Sequence, residues 1–195
     1  PRVDETEESF HRKVSFRGYA YETLMELALN FYGLESRWLD EEKKAECLQY
    51  IRNVLNEWEG LEREEGDISI AKAVIEKWLL RMKRVQKGSS MVAQIALRIE
   101  DALGDEKCIL SNFLRKAEEE IKANIYYRMV KEEKCKFGND YALGLRWLRH
   151  LGFEQVSTNP VLAARAYQDE PELIALFKEE TQHHPNFQSW RSDPK

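Results

Sequence analysis

The chain has 195 residues, a formal net charge of −5 and a hydrophobic fraction of 43%. Its length allows one domain, or one domain and part of another, with enough aromatic residues for a packed core. The negative net charge argues against nucleic acid as a partner, since phosphate binding requires clustered Lys and Arg. No apolar run approaches the roughly 20 residues of a membrane-spanning helix, and the polar first residues are unlike a signal peptide. We therefore expect a cytoplasmic protein with neither membrane nor nucleic acid as a partner.

One basic segment, residues 77–87 (KWLLRMKRVQK), lies close to the acidic residues 62–67 (EREEGD). Interleaved charges of both signs are typical of a solvated helix face, and we prefer this interpretation to a binding patch. The three cysteines, Cys47, Cys108 and Cys135, are far apart and odd in number. Their pattern fits a reducing compartment and gives no metal-ligand spacing, so neither a metal nor another cofactor is expected.

Helical periodicity dominates residues 19–130, which we predict to form a helical bundle behind a polar leader of residues 1–18. Apolar residues recur there at spacings of three and four, which predicts five amphipathic helices. The helices are expected over residues 19–32, 40–60, 69–88, 90–104 and from about residue 106 into the 120s. Capping residues support the starts of the second, third and fourth helices: Asp40, then Asp67 or Ser69, then Ser89 or Ser90.

The pattern changes near residue 131, where short strand-like and helical segments alternate. We expect strands over residues 134–139 and 153–157, and helices over 141–150, 161–167 and 172–180. Asp140 is positioned to cap the first of these helices, and His150 to interact as a cation with its C-terminal end. The order strand, helix, strand, helix favours parallel strands joined by a right-handed crossover. Residues 131–195 are thus predicted to hold two short strands and about three helices.

The second strand leads into an unusual corner, Ser157-Thr158-Asn159-Pro160, followed by a small apolar run. In its context, LGFEQVSTNPVLAARAY, with the preceding strand, helix and glycine, this corner resembles the second barrel strand and following loop of transaldolases and fructose-6-phosphate aldolases. The resemblance covers about residues 134–180. It implies a (β/α)8 barrel, of which the chain holds the first two βα units. The expected fold is mainly α, with the helical bundle followed by an incomplete barrel.

The resemblance also implies an enzyme of sugar-phosphate metabolism that transfers or cleaves a three-carbon dihydroxyacetone unit through a lysine Schiff base. Asn159, with Ser157 and Thr158 beside it, would bind substrate hydroxyls, because amide and hydroxyl groups both donate and accept hydrogen bonds. The family has a proton-transferring Asp at the end of the first strand. This chain has Asn139 there and Asp140 one residue later. Since an amide is no general base, either Asp140 takes the role or the role is absent.

The catalytic lysine of the resembled family has no counterpart here. It lies on the sixth strand of a barrel of ~250 residues, whereas 35 residues follow Pro160 in this sequence. The two lysines after the corner, Lys178 and Lys195, stand in a different context. We therefore expect the chain to correspond to the N-terminal portion of a transaldolase-like protein and to be inactive by itself.

Two alternatives stay open at this point. Asn-Pro is a common turn pair, so Asn159 could be structural alone. Residues 19–130 could be a non-catalytic module for protein interaction or homo-oligomerisation, with Trp38 or Trp58 exposed at the contact. An incomplete barrel also leaves strand edges unpaired. Residues 155–161 should then be pressed against the bundle or poorly ordered.

Overall fold

The computed structural model of the chain describes residues 7–65, 69–85, 90–103 and 107–183 and is mainly helical. None of the helices in these ranges is both long and apolar enough to cross a membrane. In chain order the elements are α1 (Glu7–Tyr32), a 3₁₀ turn (Leu34–Ser36), α2 (Glu41–Glu65), α3 (Ile70–Arg84), α4 (Met91–Leu103), α5 (Ile109–Ala123), α6 (Ile125–Lys131), β1 (Phe137–Asn139), α7 (Ala142–Leu148), a second 3₁₀ turn (Arg149–Leu151), β2 (Phe153–Val156), α8 (Pro160–Asp169) and α9 (Glu172–His183).

The five predicted helices of the bundle are present, and two of them are longer than expected. Helix α1 begins at Glu7 rather than at residue 19, and within this extension Val14 packs against the core. Helix α2 continues through Gly60 to Glu65. A glycine inside a helix costs only about 1 kcal/mol relative to alanine, which the burial of neighbouring residues outweighs here.

The predicted N-caps of the bundle are confirmed. The Asp40 carboxylate accepts from the Lys43 N–H at 3.0 Å, and the Ser69 hydroxyl accepts from the Lys72 N–H at 3.1 Å. Ser90, rather than Ser89, caps α4 by accepting from the N–H of Ala93 at 3.2 Å. The predicted helix ends at residues 88 and 104 lie outside the described residues, as does the alternative cap at residue 67.

Asn124 divides the predicted long fifth helix into α5 and α6. Its backbone is extended and its side chain accepts from the N–H of Tyr126 at 2.9 Å. Asn is favoured at such positions because its amide oxygen replaces a missing helical acceptor. The chain consequently changes direction at Asn124 instead of continuing as one helix.

Helix α5 lies at the centre of the bundle and packs against α1, α2, α3 and α4. Leu110, Phe113 and Leu114 on this helix are fully buried. The Trp78 ring of α3 contacts Phe113 edge-on at 5.8 Å between ring centroids and contacts Trp147 of α7 at 5.5 Å. The same buried cluster extends from the bundle into α7 and α8, so the C-terminal elements share its core.

Two buried glutamates on α2, one turn apart, connect this helix to the starts of two others. Glu59 accepts from the N–H groups of Ile109 and Leu110 at 2.9 and 3.4 Å, at the first turn of α5. Glu62 accepts from the N–H of Ala71 at 3.1 Å, in the first turn of α3. A carboxylate is favourable at a helix N-terminus because it satisfies free N–H groups and interacts with the helix dipole. Both side chains are therefore structural, and they fix how α3 and α5 lie against α2.

The hydroxyl of Tyr21 completes the Glu62 site by donating to its second carboxylate oxygen at 3.0 Å. Burial raises the pKa of Tyr21 well above its ordinary value, and the neighbouring Glu62 charge adds to the shift. The phenol therefore stays protonated and keeps its donor role.

Strands β1 and β2 form a parallel pair, which confirms the predicted pairing; within the described residues the sheet has these two strands. Phe137 pairs with Phe153, and the Tyr126 ring of α6 contacts these rings at 4.7 and 5.3 Å between centroids. The N-terminal ends of both strands thus pack on the helices. The C-terminal end of β2 is exposed, so residues 155–161 lie away from the bundle. The expectation that they press against the bundle is therefore wrong.

Gly152 allows β2 to start close to the bundle. Its φ of +87° lies in the left-handed region, where a side chain is strained. A Cβ atom here would also lie 2.6 Å from the side chain of Val130 and 2.9 Å from that of Leu34. Gly152 also caps the C-terminal end of the second 3₁₀ turn, so both its backbone conformation and the close approach require glycine.

Two capping predictions in this region are wrong. The N-cap position of α7 is held by Tyr141, not by Asp140. His150 does not cap the end of the helix: it is 2% exposed, and its Nδ1 atom contacts the Glu35 carboxylate of the first 3₁₀ turn. The chain at His150 passes close to Gly33, where a Cβ atom would lie 2.9 Å from the Cα of His150.

Replacing Glu62 by Ala should lower the free energy of unfolding by about 2–3 kcal/mol, because the Ala71 N–H and the Tyr21 hydroxyl lose their buried acceptor. Urea denaturation followed by circular dichroism measures this difference. Glu64→Ala, an exposed position on the same helix, is the matched control and should change stability by less than about 0.5 kcal/mol. Equal losses in the two variants would show that Glu62 does not cap α3.

Candidate functional site

Parallel pairing brings the candidate site residues to one end of the sheet. Asn139 pairs with Val156, and the N–H of Ser157 donates to the backbone oxygen of Asn139 at 2.9 Å. Residues 139–140 and 157–159 therefore lie together at the C-terminal ends of β1 and β2, which we call the strand-end edge. Asp140 and Ser157–Asn159 are exposed there.

Asn159 is the N-cap of α8. Its Oδ1 atom accepts from the N–H groups of Val161 and Leu162, both at 3.0 Å, and its backbone is extended. Pro160 is suited to the first helical position because it lacks an N–H and has a helical φ. Asn159 and Pro160 thus have a structural role at the start of α8, as its N-cap and its first helical residue. This cap uses only the amide oxygen, so the Nδ2 group has no part in it.

Asn139 also has a structural contact. Its Nδ2 atom donates to the backbone oxygen of Tyr141 at 2.6 Å, at the start of α7. A Cβ atom on Gly144 would lie 3.0 Å from this nitrogen, so the amide is closely packed against the first turn of α7. Asn139 is half-buried, whereas Asp140 is exposed and carries the only carboxylate of the strand-end edge. If a base is required there, Asp140 is the group that can supply it.

A tyrosine that the sequence patterns did not single out links the two helices that follow the strands. Tyr141 is buried, and its hydroxyl donates to the Asp169 carboxylate at the end of α8. Burial raises the pKa of Tyr141 far above its ordinary value, and the hydrogen bond to Asp169 acts in the same direction. The neutral phenol therefore holds α8 against α7, which fixes the direction in which Asn159 enters α8.

His150 and Glu35 form a second polar contact that the sequence did not reveal. One Glu35 oxygen contacts the His150 ring, while the other is buried without a hydrogen-bond partner among the described residues. The pair joins the two 3₁₀ turns and lies on the bundle side of β2, at the opposite end of the strand from residues 157–159. It has a structural position rather than one at the strand-end edge.

Metal-ligand geometry is not found in the described part of the chain, where no group of three or more His, Cys, Asp or Glu residues could hold an ion. The three cysteines are free thiols. The side chains of His183 and His184, adjacent in the sequence, lie outside the described residues.

Comparisons with known proteins give no match: no protein-family model, no curated protein and no solved structure matches the chain. The local geometry and the sequence resemblance are accordingly the basis for a functional proposal.

Two substitutions of Asn159 distinguish the capping role of its Oδ1 atom from any role of its Nδ2 group. Asn159→Ala should destabilise the start of α8 by about 1 kcal/mol, whereas Asn159→Asp should retain the cap to within a few tenths, because a carboxylate oxygen caps as well as an amide oxygen. Hydrogen exchange of the Val161 and Leu162 amides measures the difference, with faster exchange expected in the alanine variant. Equally fast exchange in both variants would argue against a capping role for Oδ1.

Proposed function

We propose that the chain forms the first part of a transaldolase-like enzyme that transfers or cleaves a three-carbon dihydroxyacetone unit. The observation that carries this proposal is the parallel pairing of β1 and β2, which brings residues 139–140 and 157–159 to one edge where all but Asn139 are exposed. In barrels of parallel strands, active sites are built at the C-terminal ends of the strands. The sugar-phosphate substrate would approach from this side of the sheet.

The groups available at the strand-end edge suit a polyhydroxylated substrate. The Nδ2 group of Asn159 is a donor that the helix cap leaves unused, and the hydroxyls of Ser157 and Thr158 can donate and accept. Because the Oδ1 atom is held by two N–H groups, the direction of Nδ2 is fixed before a ligand binds. Such preorganisation reduces the entropy lost on binding.

Asp140 is the residue proposed for proton transfer. It follows β1 directly and is exposed, so a substrate hydroxyl could approach its carboxylate. Asn139, whose amide is committed to the backbone of Tyr141, is proposed to position the loop between β1 and α7. The Schiff-base lysine that the resemblance requires would come from residues other than 1–195.

A non-catalytic interaction module is the second candidate, and exposed aromatic residues on the bundle favour it. Phe16 and Tyr19 on α1 and Trp38 after the first 3₁₀ turn are 67%, 73% and 77% exposed. Trp58, the other residue expected at such a contact, is half-buried and packs on Tyr21 at 6.2 Å between ring centroids, so its predicted exposure is wrong. Trp38 is thus the better candidate for a contact between copies of the chain.

Titration with dihydroxyacetone tests the proposed enzyme function, because this ligand is small and neutral. In ¹H–¹⁵N spectra we expect saturable shifts confined to residues 139–140 and 157–159. Asn159→Asp should weaken binding about three- to tenfold, since it removes one donor and keeps the helix cap. Shifts spread evenly over the surface would contradict the site and favour the interaction module.

The matched control is Asn124→Asp, which changes a capping asparagine in the same way at the start of α6. Its dihydroxyacetone affinity should equal that of the unmodified chain. An equal loss in both variants would assign the effect to added negative charge rather than to the Asn159 amide.

Borohydride reduction in the presence of dihydroxyacetone tests the assignment of the catalytic lysine. We expect no lysine-linked adduct by mass spectrometry, because the two lysines after Pro160, Lys178 and Lys195, stand in a different context from the catalytic lysine of the resembled family. A stable adduct lost on Lys178→Arg substitution would show that a lysine of this chain can form the Schiff base.

A further inference from the structure

Two Arg-x-x-Arg pairs lie on helical segments that meet around Trp147. Arg81 and Arg84 belong to α3, while Arg146 and Arg149 belong to α7 and the 3₁₀ turn that follows it. A spacing of three residues places the members of each pair on one helix face. The edge-to-face contact of Trp147 with Trp78 of α3 brings the two segments together.

The four arginines surround two adjoining hollows, one on each side of Trp147. Arg81 and Arg146 line both hollows, Arg84 lines only the first and Arg149 only the second. Each hollow is shallow, with a cavity volume of about 20 Å³. We call these four side chains and the two hollows the arginine cleft.

Carboxylates balance only part of this positive charge. Glu170 is the acidic residue that faces Arg81 and Arg146, and one of its oxygens is shared between them at 3.4 and 3.6 Å. These distances exceed the roughly 2.7–2.9 Å of a charge-assisted hydrogen bond, so neither guanidinium is well satisfied.

The other two acidic residues of the cleft, Asp169 and Glu26, do not neutralise all of the remaining positive charge. Asp169 is already bonded to the Tyr141 hydroxyl and pairs with Arg165 at 3.7 Å. Glu26 lines the second hollow from α1 and is exposed. Among the described residues, Arg84 and Arg149 have no carboxylate within ion-pair distance. Three carboxylates, Glu26, Asp169 and Glu170, therefore face four guanidinium groups.

We propose that the arginine cleft binds a phosphate group, as inorganic phosphate or as part of a small phosphorylated metabolite. Phosphate offers several oxygens to guanidinium groups that approach from different directions, and arginine forks bind it in bidentate fashion. Hollows this small limit the ligand to a compact group, and the net charge of −5 would oppose the approach of a long polyanion. The cleft is lined by residues other than 139–140 and 157–159, and its proposal does not rest on the proposed enzyme function.

The test is a titration of the intact chain with inorganic phosphate at constant ionic strength, followed by the indole N–H signal of Trp147 in ¹H–¹⁵N spectra. Trp147→Phe assigns this signal. We expect a saturable shift with phosphate that sodium chloride does not reproduce. A linear response, or an equal response to chloride, would overturn the proposal.

Substitutions then test which side chains bind. Arg81→Gln and Arg146→Gln should each weaken phosphate affinity about tenfold, and Arg146→Lys should also weaken it because lysine lacks the planar fork. Arg115→Gln removes one exposed charge from α5, far from Trp147 in the sequence, and should bind phosphate normally. Since Arg146 is 42% exposed, its variants should fold even if Arg81→Gln does not. Equal weakening in Arg115→Gln would reveal a general charge effect and overturn the site.

A second arm identifies the source of the phosphate. Fructose 6-phosphate binding more tightly than inorganic phosphate would assign the cleft to phosphorylated metabolites, and equal affinity would assign it to the ion. Free fructose should leave the Trp147 signal unchanged. A shift of this signal by fructose at the same concentrations would contradict recognition of phosphate.

Discussion

The contact between Tyr126, Phe137 and Phe153 determines what the short sheet can present to solvent. A parallel pair of three- and four-residue strands has too few hydrogen bonds to be stable alone. Packing of its N-terminal rings on α6 supplies the missing stability. Because only one end of each strand is anchored in this way, the opposite ends are free to carry polar residues. The location of residues 139–140 and 157–159 is a consequence of this one-sided anchoring.

Local patterns in the sequence predicted the helices well and their ends less well. Stripes of apolar residues identify a helix because one face must be buried, and this holds for α1 to α5. The end of a helix depends also on tertiary contacts, as the passage of α2 through Gly60 shows. Asn124 divides α5 from α6 through a single side-chain hydrogen bond, which a periodicity argument does not detect.

The positions of some polar residues also follow from the local sequence, whereas those of others depend on residues far along the chain. The parallel arrangement of the strands, and therefore the grouping of residues 139–140 with 157–159, followed from the order of elements. The burial of His150, Glu59 and Glu62 could not be predicted in this way. Their hydrogen-bond partners lie 115, 50 and 9 residues away along the chain and are reached only after folding. The basic segment 77–87 was predicted to be a solvated face. Lys77 and Arg84 of this segment are indeed exposed, but Arg81 and Arg84 also lie near a second arginine pair 65 positions further along the chain, which no local charge pattern indicates.

Because β1 and β2 are short, their length limits which additional strands could extend the sheet. An edge of three or four residues offers an incoming strand only a few backbone hydrogen bonds, too few to offset the entropy of bringing two molecules together. A strand of the same polypeptide begins at a much higher effective concentration and does not incur that loss. The sheet can therefore be extended by a strand of the same polypeptide, but it binds the edge strand of another molecule only weakly. The polar strand ends can thus be displayed with little risk of edge-to-edge aggregation.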